Sequence, residues 1–464
     1  MSARRFDAIV VGAGQAGPPL AMRLAKAGRQ VAMIERSHFG GTCVNTGCTP
    51  TKALVASAHA AHLARRAADY GVTLGGAVGI NFTAVMARKD RILLDSRNGV
   101  EKGLRDTEGC TVYEGHARFE SATELRVGDA LLTAPRVFLD VGARATMPDM
   151  PGADTVRLLT NVSILQLTEL PRHLVVIGGS YIGLEFAQMF RRFGAEVTVI
   201  ERGEHLVARE DVEVADAIRE ILEAEGITVR LGVECTTFRP QGDDIAVGVE
   251  CEGGGPDIVA SHVLMAVGRR PNTDDLGVET AGIELDEKGY IRVDDQLRTT
   301  ASGVWALGDC NGEGAFTHTA YNDYEIVADN LLDGASRRVS DRIETYALYI
   351  DPPLGRAGMT EAQAKKAGHA VKIGRRPMTK VSRAKEKGET QGLMKLVVDA
   401  KSDAILGAAI LGVGGDEAIH AVLDTMAAGR TATDLQHTMH IHPTVAELLP
   451  TVAGDLEPAD PNGA

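Results

Sequence analysis

The 464-residue chain has no apolar run long enough to cross a bilayer. Its two clearest, Ala8 to Val11 and Leu174 to Ile177, are strand-length. Basic residues are also in short supply. Forty-nine Lys and Arg against 63 Asp and Glu give a formal net charge of -14, which argues against nucleic acid or an anionic membrane as the main partner, since both reward a basic face. The opening MSARRFDAIVVGAG reaches a strand by residue 8 and turns on glycine, without the h-region or cleavage site of a leader. The chain therefore reads as mature and cytoplasmic. No heptad or low-complexity segment stands out. Cysteine is sparse: of the six, Cys110, Cys235, Cys251 and Cys310 are scattered, and no disulfide framework is suggested. What remains is ordinary globular composition, 44% hydrophobic and 24% charged, at a length that suggests about three domains.

The other two cysteines stand together. In GGTCVNTGCTPTK (40 to 52), Cys43 and Cys48 are separated by four residues on a glycine-rich approach. A structural staple, half of a metal site and a redox disulfide are the competing readings. A reducing compartment disfavours a permanent staple. Zinc needs two more ligands at suitable spacing, and no second close Cys or Cys/His pair supplies them, so no metal ligands are assigned. Redox use leads. The four-residue loop lets the sulfurs approach disulfide distance, and Thr49-Pro50-Thr51-Lys52 reads as the first turn of a helix, with proline where its missing N–H does little harm. A thiolate at Cys48 would be stabilised at that helix N-terminus.

A nucleotide-binding unit occurs twice. Asp7 to Val11 reads as a buried strand entering Gly12-Ala13-Gly14-Gln15-Ala16-Gly17, followed by a helix and a strand, Val31 to Ile34, that ends on Glu35. Leu174 to Ile177 leads likewise into Gly178-Gly179-Ser180-Tyr181-Ile182-Gly183 and on to a strand ending at Glu201. First glycine and terminal acid are 23 residues apart in both copies. This is the dinucleotide fingerprint in its proper setting: glycines let backbone N–H groups approach a pyrophosphate at the positive end of a helix, and the acid accepts from a ribose. Pro18 and Pro19 imply an adjusted first turn. Two such sites on one chain point to hydride transfer between two dinucleotides. Glu201 welcomes a 2′-hydroxyl and repels a 2′-phosphate, and Gly183 agrees with NADH, while Arg202 and Arg209 keep NADPH open.

In order along nearly its whole length, the chain resembles the flavin-dependent pyridine nucleotide–disulfide oxidoreductases, the group of dihydrolipoamide dehydrogenase, glutathione reductase and mercuric reductase. The two fingerprints and GGTCVNTGCTPTK carry this, with AVGRRPNT (266 to 273, including Gly268), VWALGDC (304 to 310), PLGRAGMTEAQA (353 to 364) and HIHPTVAELLP (440 to 450). The resemblance implies an α/β fold with two Rossmann-like domains, for FAD and NAD(P)H, plus a C-terminal mixed α/β dimerisation domain. It implies four segments: 1–150 and 271–340 for FAD, 151–270 for NAD(P)H, and 341–464 for dimerisation, with PADPNGA as a disordered tail.

The same resemblance implies the roles. Gly12, Gly14, Gly17, Glu35 and Asp309 belong to FAD, and Gly178, Tyr181, Gly183 and Glu201 to the nicotinamide nucleotide, with Tyr181 as an aromatic gate. Lys52 and Glu185 pair beside the flavin ring. Electrons pass from NAD(P)H through flavin to a Cys43–Cys48 disulfide, Cys48 facing the flavin and Cys43 exchanging with substrate. His442, oriented by Glu447, moves the proton, with His440 supporting it or structural. Cys310 lies outside the family's pattern and reads as a small buried filler. Because this histidine serves the other subunit, a homodimer sharing its active sites is expected. The acceptor is a small disulfide or dihydrolipoamide-type substrate. The alternative is a metal-ion reductase, suggested by LVAREDVEVADAI (206 to 218), FTHTAYNDYEIV (316 to 327) and GCTPTK in place of GCIPSK. Against it, no cysteine follows Cys310 to form the C-terminal pair of mercuric reductases. A third reading, NADH binding as a signal without disulfide turnover, runs against the intact set of Cys43, Cys48, His442 and Glu447.

Overall fold

The computed structural model describes residues 3–249 and 257–459. Its chain forms two compact units: Met1–Ala53, Met86–Met147 and Gly268–Arg342 make the first; Leu54–Val85, Pro148–Val267 and Ile343–Ala464 make the second. Among the described residues no helix is long and apolar enough to cross a membrane.

In the first unit a five-stranded parallel sheet runs in the order Val304–Ala306, Val137–Leu139, Ala8–Val11, Val31–Glu35, Cys110–Glu114. Its inner strands read as unbroken apolar runs because both faces are covered; all four residues of Ala8–Val11 are buried. Helix α1 (Gly17–Lys26) follows the first glycine loop. Pro18 and Pro19 both fall in its first turn, where N–H groups have no intrahelical acceptor, and Leu20 N–H already bonds Ala16 O at 3.2 Å. The first turn therefore needs no adjustment. Helices α2 (Gly41–Thr46) and α3 (Cys48–Arg65) carry the two cysteines.

The second unit repeats the plan. Leu158–Leu159, His262–Met265, His173–Ile177, Glu196–Ile200 and Thr228–Arg230 form its own five-stranded parallel sheet, with α4 (Tyr181–Phe193) after the second glycine loop and α5 (Val212–Ala224) after the terminal acid. Residues 345 to 458 add a six-stranded antiparallel sheet backed by short helices. The expected tail is ordered where it begins. Glu457–Pro458 pairs with Lys372 and Ile373, and residues 460–464 of that reading lie outside the described residues, as does Cys251.

Candidate active site

The thiol segment is built onto the first nucleotide loop. Gly40 N–H donates to Ala13 O at 2.7 Å, and the Gln15 amide donates back to Gly40 O at 2.9 Å. Gly41 has a φ of +60°, and a methyl on it would stand 2.7 Å from the Cα of Gly14, so only glycine brings the two backbones so close. Asn45 then fastens α2: its Nδ2 donates to Phe39 O and Gly41 O, and its Oδ1 accepts from Arg97 Nε at 2.7 Å. Gly47 separates the helices, its carbonyl accepting from Thr51 N–H, and α3 starts at Cys48.

Cys43 and Cys48 both carry thiols. The Cys43 thiol is pushed up by its hydrogen bond with Cys48, then by burial and the Cys48 charge, against opposing pulls from Thr317 and Lys52. Thr317 Oγ1 lies 3.3 Å from Cys48 Sγ. The sequence reading placed no role on Thr317, although it falls inside the FTHTAYNDYEIV stretch that it noted.

At the other chemical centre, in the second unit, His442 Nδ1 and Glu447 Oε2 are 2.8 Å apart. The imidazole is 76% exposed and the carboxylate 13%. Thr444 shapes the turn, donating from Oγ1 to Ile441 O and accepting from Glu447 N–H. The His442–Pro443 peptide is cis. His440 bonds Thr438 O, and its neighbours Met439 and Ile441 are 96% and 80% exposed.

The two terminal acids behave alike. Glu35 accepts from Ala13 N–H (2.7 Å) and Ser37 N–H (2.8 Å); Glu201 accepts from Gly179 N–H (2.6 Å) and Gly203 N–H (2.8 Å). An ionised carboxylate has about four acceptor positions, so each keeps capacity for ribose hydroxyls. The cradle also fits a dinucleotide: methyl groups on Gly12, Gly17, Gly178 or Gly183 would run into backbone carbonyls, so the loops hold the closeness that a pyrophosphate requires. Asp309 sits in the Gly308–Asn311 turn. Burial raises its pKa, opposed by Arg269 at 3.3 Å, a partner that sequence spacing did not reveal. Gly268 has φ +123° and accepts from Thr146 N–H.

Tyr181 opens α4, half-buried. Glu185, 4% exposed, accepts from Tyr349 N–H at 3.0 Å, and Lys52 stands in the first turns of α3. Arg209 lies over the Tyr346 ring, 5.2 Å from its centroid. Cys310 is fully buried, and its thiol donates to Leu307 O. Cys235 is disulfide-bonded, a correction to the expectation of unlinked scattered cysteines; spacing along a chain does not report distance through space.

The profile of the pyridine nucleotide-disulphide oxidoreductases matches residues 6–323, and that of their dimerisation domain matches residues 345–453. The chain belongs to this family. It is 36% identical over 453 residues to the probable pyridine nucleotide-disulfide oxidoreductase RclA of Escherichia coli, covering 96% of this chain and 98% of that protein. It is 34% identical to a Bacillus cereus mercuric reductase (95% and 70% covered) and 34% identical to a dihydrolipoyl dehydrogenase of Thermus scotoductus (98% of each). Among solved structures, the Cu(II) complex of the HOCl-induced flavoprotein disulfide reductase RclA superposes with a TM-score of 0.89 at 34% identity, covering 98% of this chain and 99% of that one. The protein is thus a flavoprotein oxidoreductase with two nucleotide-binding folds and a dimerisation domain. FAD and a pyridine nucleotide are the cofactors this membership implies.

Proposed function

We propose that the protein reduces a small disulfide, or oxidises a dihydrolipoamide-type dithiol, through Cys43 and Cys48 at the expense or gain of NADH. The contact between the Cys43 and Cys48 thiols at the start of α3 carries this reading. FAD, when bound, supplies two-electron exchange between nicotinamide and the sulfur pair. Gly12, Gly14, Gly17, Glu35 and Asp309 would hold it, and Gly178, Tyr181, Gly183, Glu201 and Gly268 would serve the nicotinamide nucleotide and the segment after its last strand.

With both thiols reduced, Cys43 thiolate attacks one sulfur of the substrate disulfide. The leaving sulfur takes a proton from the partner subunit's His442. Cys48 thiolate then attacks Cys43 sulfur, forming the Cys43–Cys48 bond and releasing the second substrate thiol. Donation of Nδ1–H to Glu447 leaves Nε2 as the atom that exchanges the proton. The dimer is part of the catalyst in this scheme, and four sequence segments (1–150, 151–270, 271–340, 341–464) supply its parts. NADH is favoured because Glu201 stands where a 2′-phosphate would meet it and Arg209 is engaged over Tyr346.

Metal-ion reduction is the second reading. The curated relatives named mercuric reductase and the Cu(II) complex of RclA favour it, and paired thiolates are soft ligands. Among the described residues no group of three or more His, Cys, Asp and Glu is placed to hold a metal ion. Steady-state assays of purified enzyme with lipoamide, glutathione disulfide, Hg²⁺ and Cu²⁺, each with NADH and NADPH, separate the readings. Disulfide turnover that falls by roughly 100-fold or more in Cys48→Ser is the expected result; turnover with metal ions alone assigns the second reading. Unchanged turnover in Cys48→Ser would sink both.

A further inference from the structure

The first unit contains a buried acid that the second unit lacks at the matching position. A methyl on Gly12 would meet the backbone carbonyl of Asp140, and one on Gly178 would meet that of Ala266, with Val141 and Val267 next in turn. The amides repeat the match: Asp140 N–H donates to Val11 O at 2.7 Å, and Ala266 N–H donates to Ile177 O at 2.8 Å. LDVGAR (139 to 144) and MAVGRR (265 to 270) are therefore one structural segment used twice, with aspartate in one copy and alanine in the other.

Asp140 is 6% exposed. Its Oδ2 accepts from Gly17 N–H at 2.7 Å and Ala16 N–H at 3.2 Å. These are orphan donors of α1, whose N-cap Ala16 has no side chain to cap them. A methyl on Gly14 would stand 2.7 Å from the same oxygen, and one on Gly308 would stand 3.1 Å from Oδ1. One carboxyl thus faces both the pyrophosphate loop and the turn that carries Asp309.

We propose that Asp140 is a positioning residue for FAD, its carboxyl setting the first turn of α1 and the Gly308–Asp309 turn against each other, and that FAD is held best when this carboxyl is protonated. The proposal rests on the reading that the first unit holds FAD. Charge supports it. Facing Asp140 are Glu35 from the second strand and Asp309 from the turn, with the buried Cys310 thiol beside them. Burial pushes the Asp140 carboxyl well above the usual carboxylate range; the Gly17 and Ala16 amides pull the other way, and Asp309 and Glu35 add to the rise. An ionised Asp140 would set a further negative charge under a diphosphate.

The test measures FAD release from the flavin-loaded enzyme, by the fluorescence of free flavin, from about pH 6 to about pH 9, where buried carboxyls titrate. Wild-type release should quicken as pH rises. Asp140→Asn keeps an oxygen to accept the same two N–H bonds, so it should stay folded and show a flat profile. Asp140→Ala should release FAD about tenfold faster than Asp140→Asn, the effect of one lost helix cap. Should Asp140→Ala fail to fold, the Asp140→Asn profile decides alone. Matching pH profiles for wild type and Asp140→Asn overturn the proposal. Wild-type protein without FAD overturns it together with the reading beneath it.

Discussion

The two nucleotide units share a backbone and differ in what holds it. Gly12 and Gly178 both stand at positive φ and both donate to a carbonyl of the next strand, Ile34 O and Ile200 O, at 2.8 Å. The correspondence extends past the fingerprint. Gly40 N–H bonds Ala13 O in the first unit, and Val207 N–H bonds Gly179 O in the second; both donors are left-handed, Gly40 at φ +96° and Val207 at +47°. From that common point the first unit grows the thiol helices, and the second grows α5 with Arg209 and Glu210 ahead of it. A β-branched residue in this conformation is strained, and Val207 is held there among buried neighbours at 3% exposure. A duplicated scaffold thus fixes how closely a dinucleotide approaches. The chemistry comes from what is attached at equivalent points.

The largest test of this symmetry is a pair of glycine substitutions. Gly12→Ala should yield protein without flavin, whereas Gly178→Ala should keep flavin and raise the KM for NADH about a hundredfold, a strain near 3 kcal/mol. Flavin absorbance and steady-state kinetics read the two losses separately. If either substitution damaged both nucleotides, the units would not be independent.

Two carboxylates, Asp140 buried and Asp351 half-buried, sharpen the contrast next. Burial works to raise Asp351 in the second unit, but its hydrogen bond with His59 and the Arg192 charge outweigh that and hold its carboxyl well below the usual range. A depressed folded-state pKa gives stability that is present above the unfolded value, ~4, and is lost as pH falls through the folded one. Asp140 has the opposite sign: its contribution is full below ~pH 4 and is lost as pH rises through its elevated folded value. Asp351→Asn should cost about 3 kcal/mol near neutrality and flatten the acid limb of a denaturant-midpoint profile. Asp140→Asn should leave that limb and flatten the alkaline side.

Smaller effects probe the second unit. Glu201→Ala should move the NADPH-to-NADH ratio of kcat/KM about tenfold toward NADPH. Ala266→Asp, which gives the second unit the first unit's acid, should raise the KM for NADH about fivefold and leave FAD release unchanged. An unaltered KM there would show that the Asp140 position matters in one unit only.

Much of this was legible in the residues. A glycine fingerprint followed at fixed distance by an acid is a local pattern, and local patterns dictate strand, turn and helix; hence Glu35 and Glu201 meet their loops with matching geometry. The closeness of the Cys43 and Cys48 thiols was legible for the same reason, as was the short reach from His442 to Glu447. Asp140 was not. Nothing in LDVGAR marks it, because its partners Ala16 and Gly17 are more than 120 residues away. Thr317 beside Cys48 and Arg269 beside Asp309 escaped likewise, each partner lying in a different sequence motif. Sequence by itself determined the repeated scaffold and the neighbouring Cys43 and Cys48 thiols, since both are short-range. Only the tertiary structure decided which distant carboxylates, hydroxyls and guanidinium groups surround them, since burial and through-space contact set those energies.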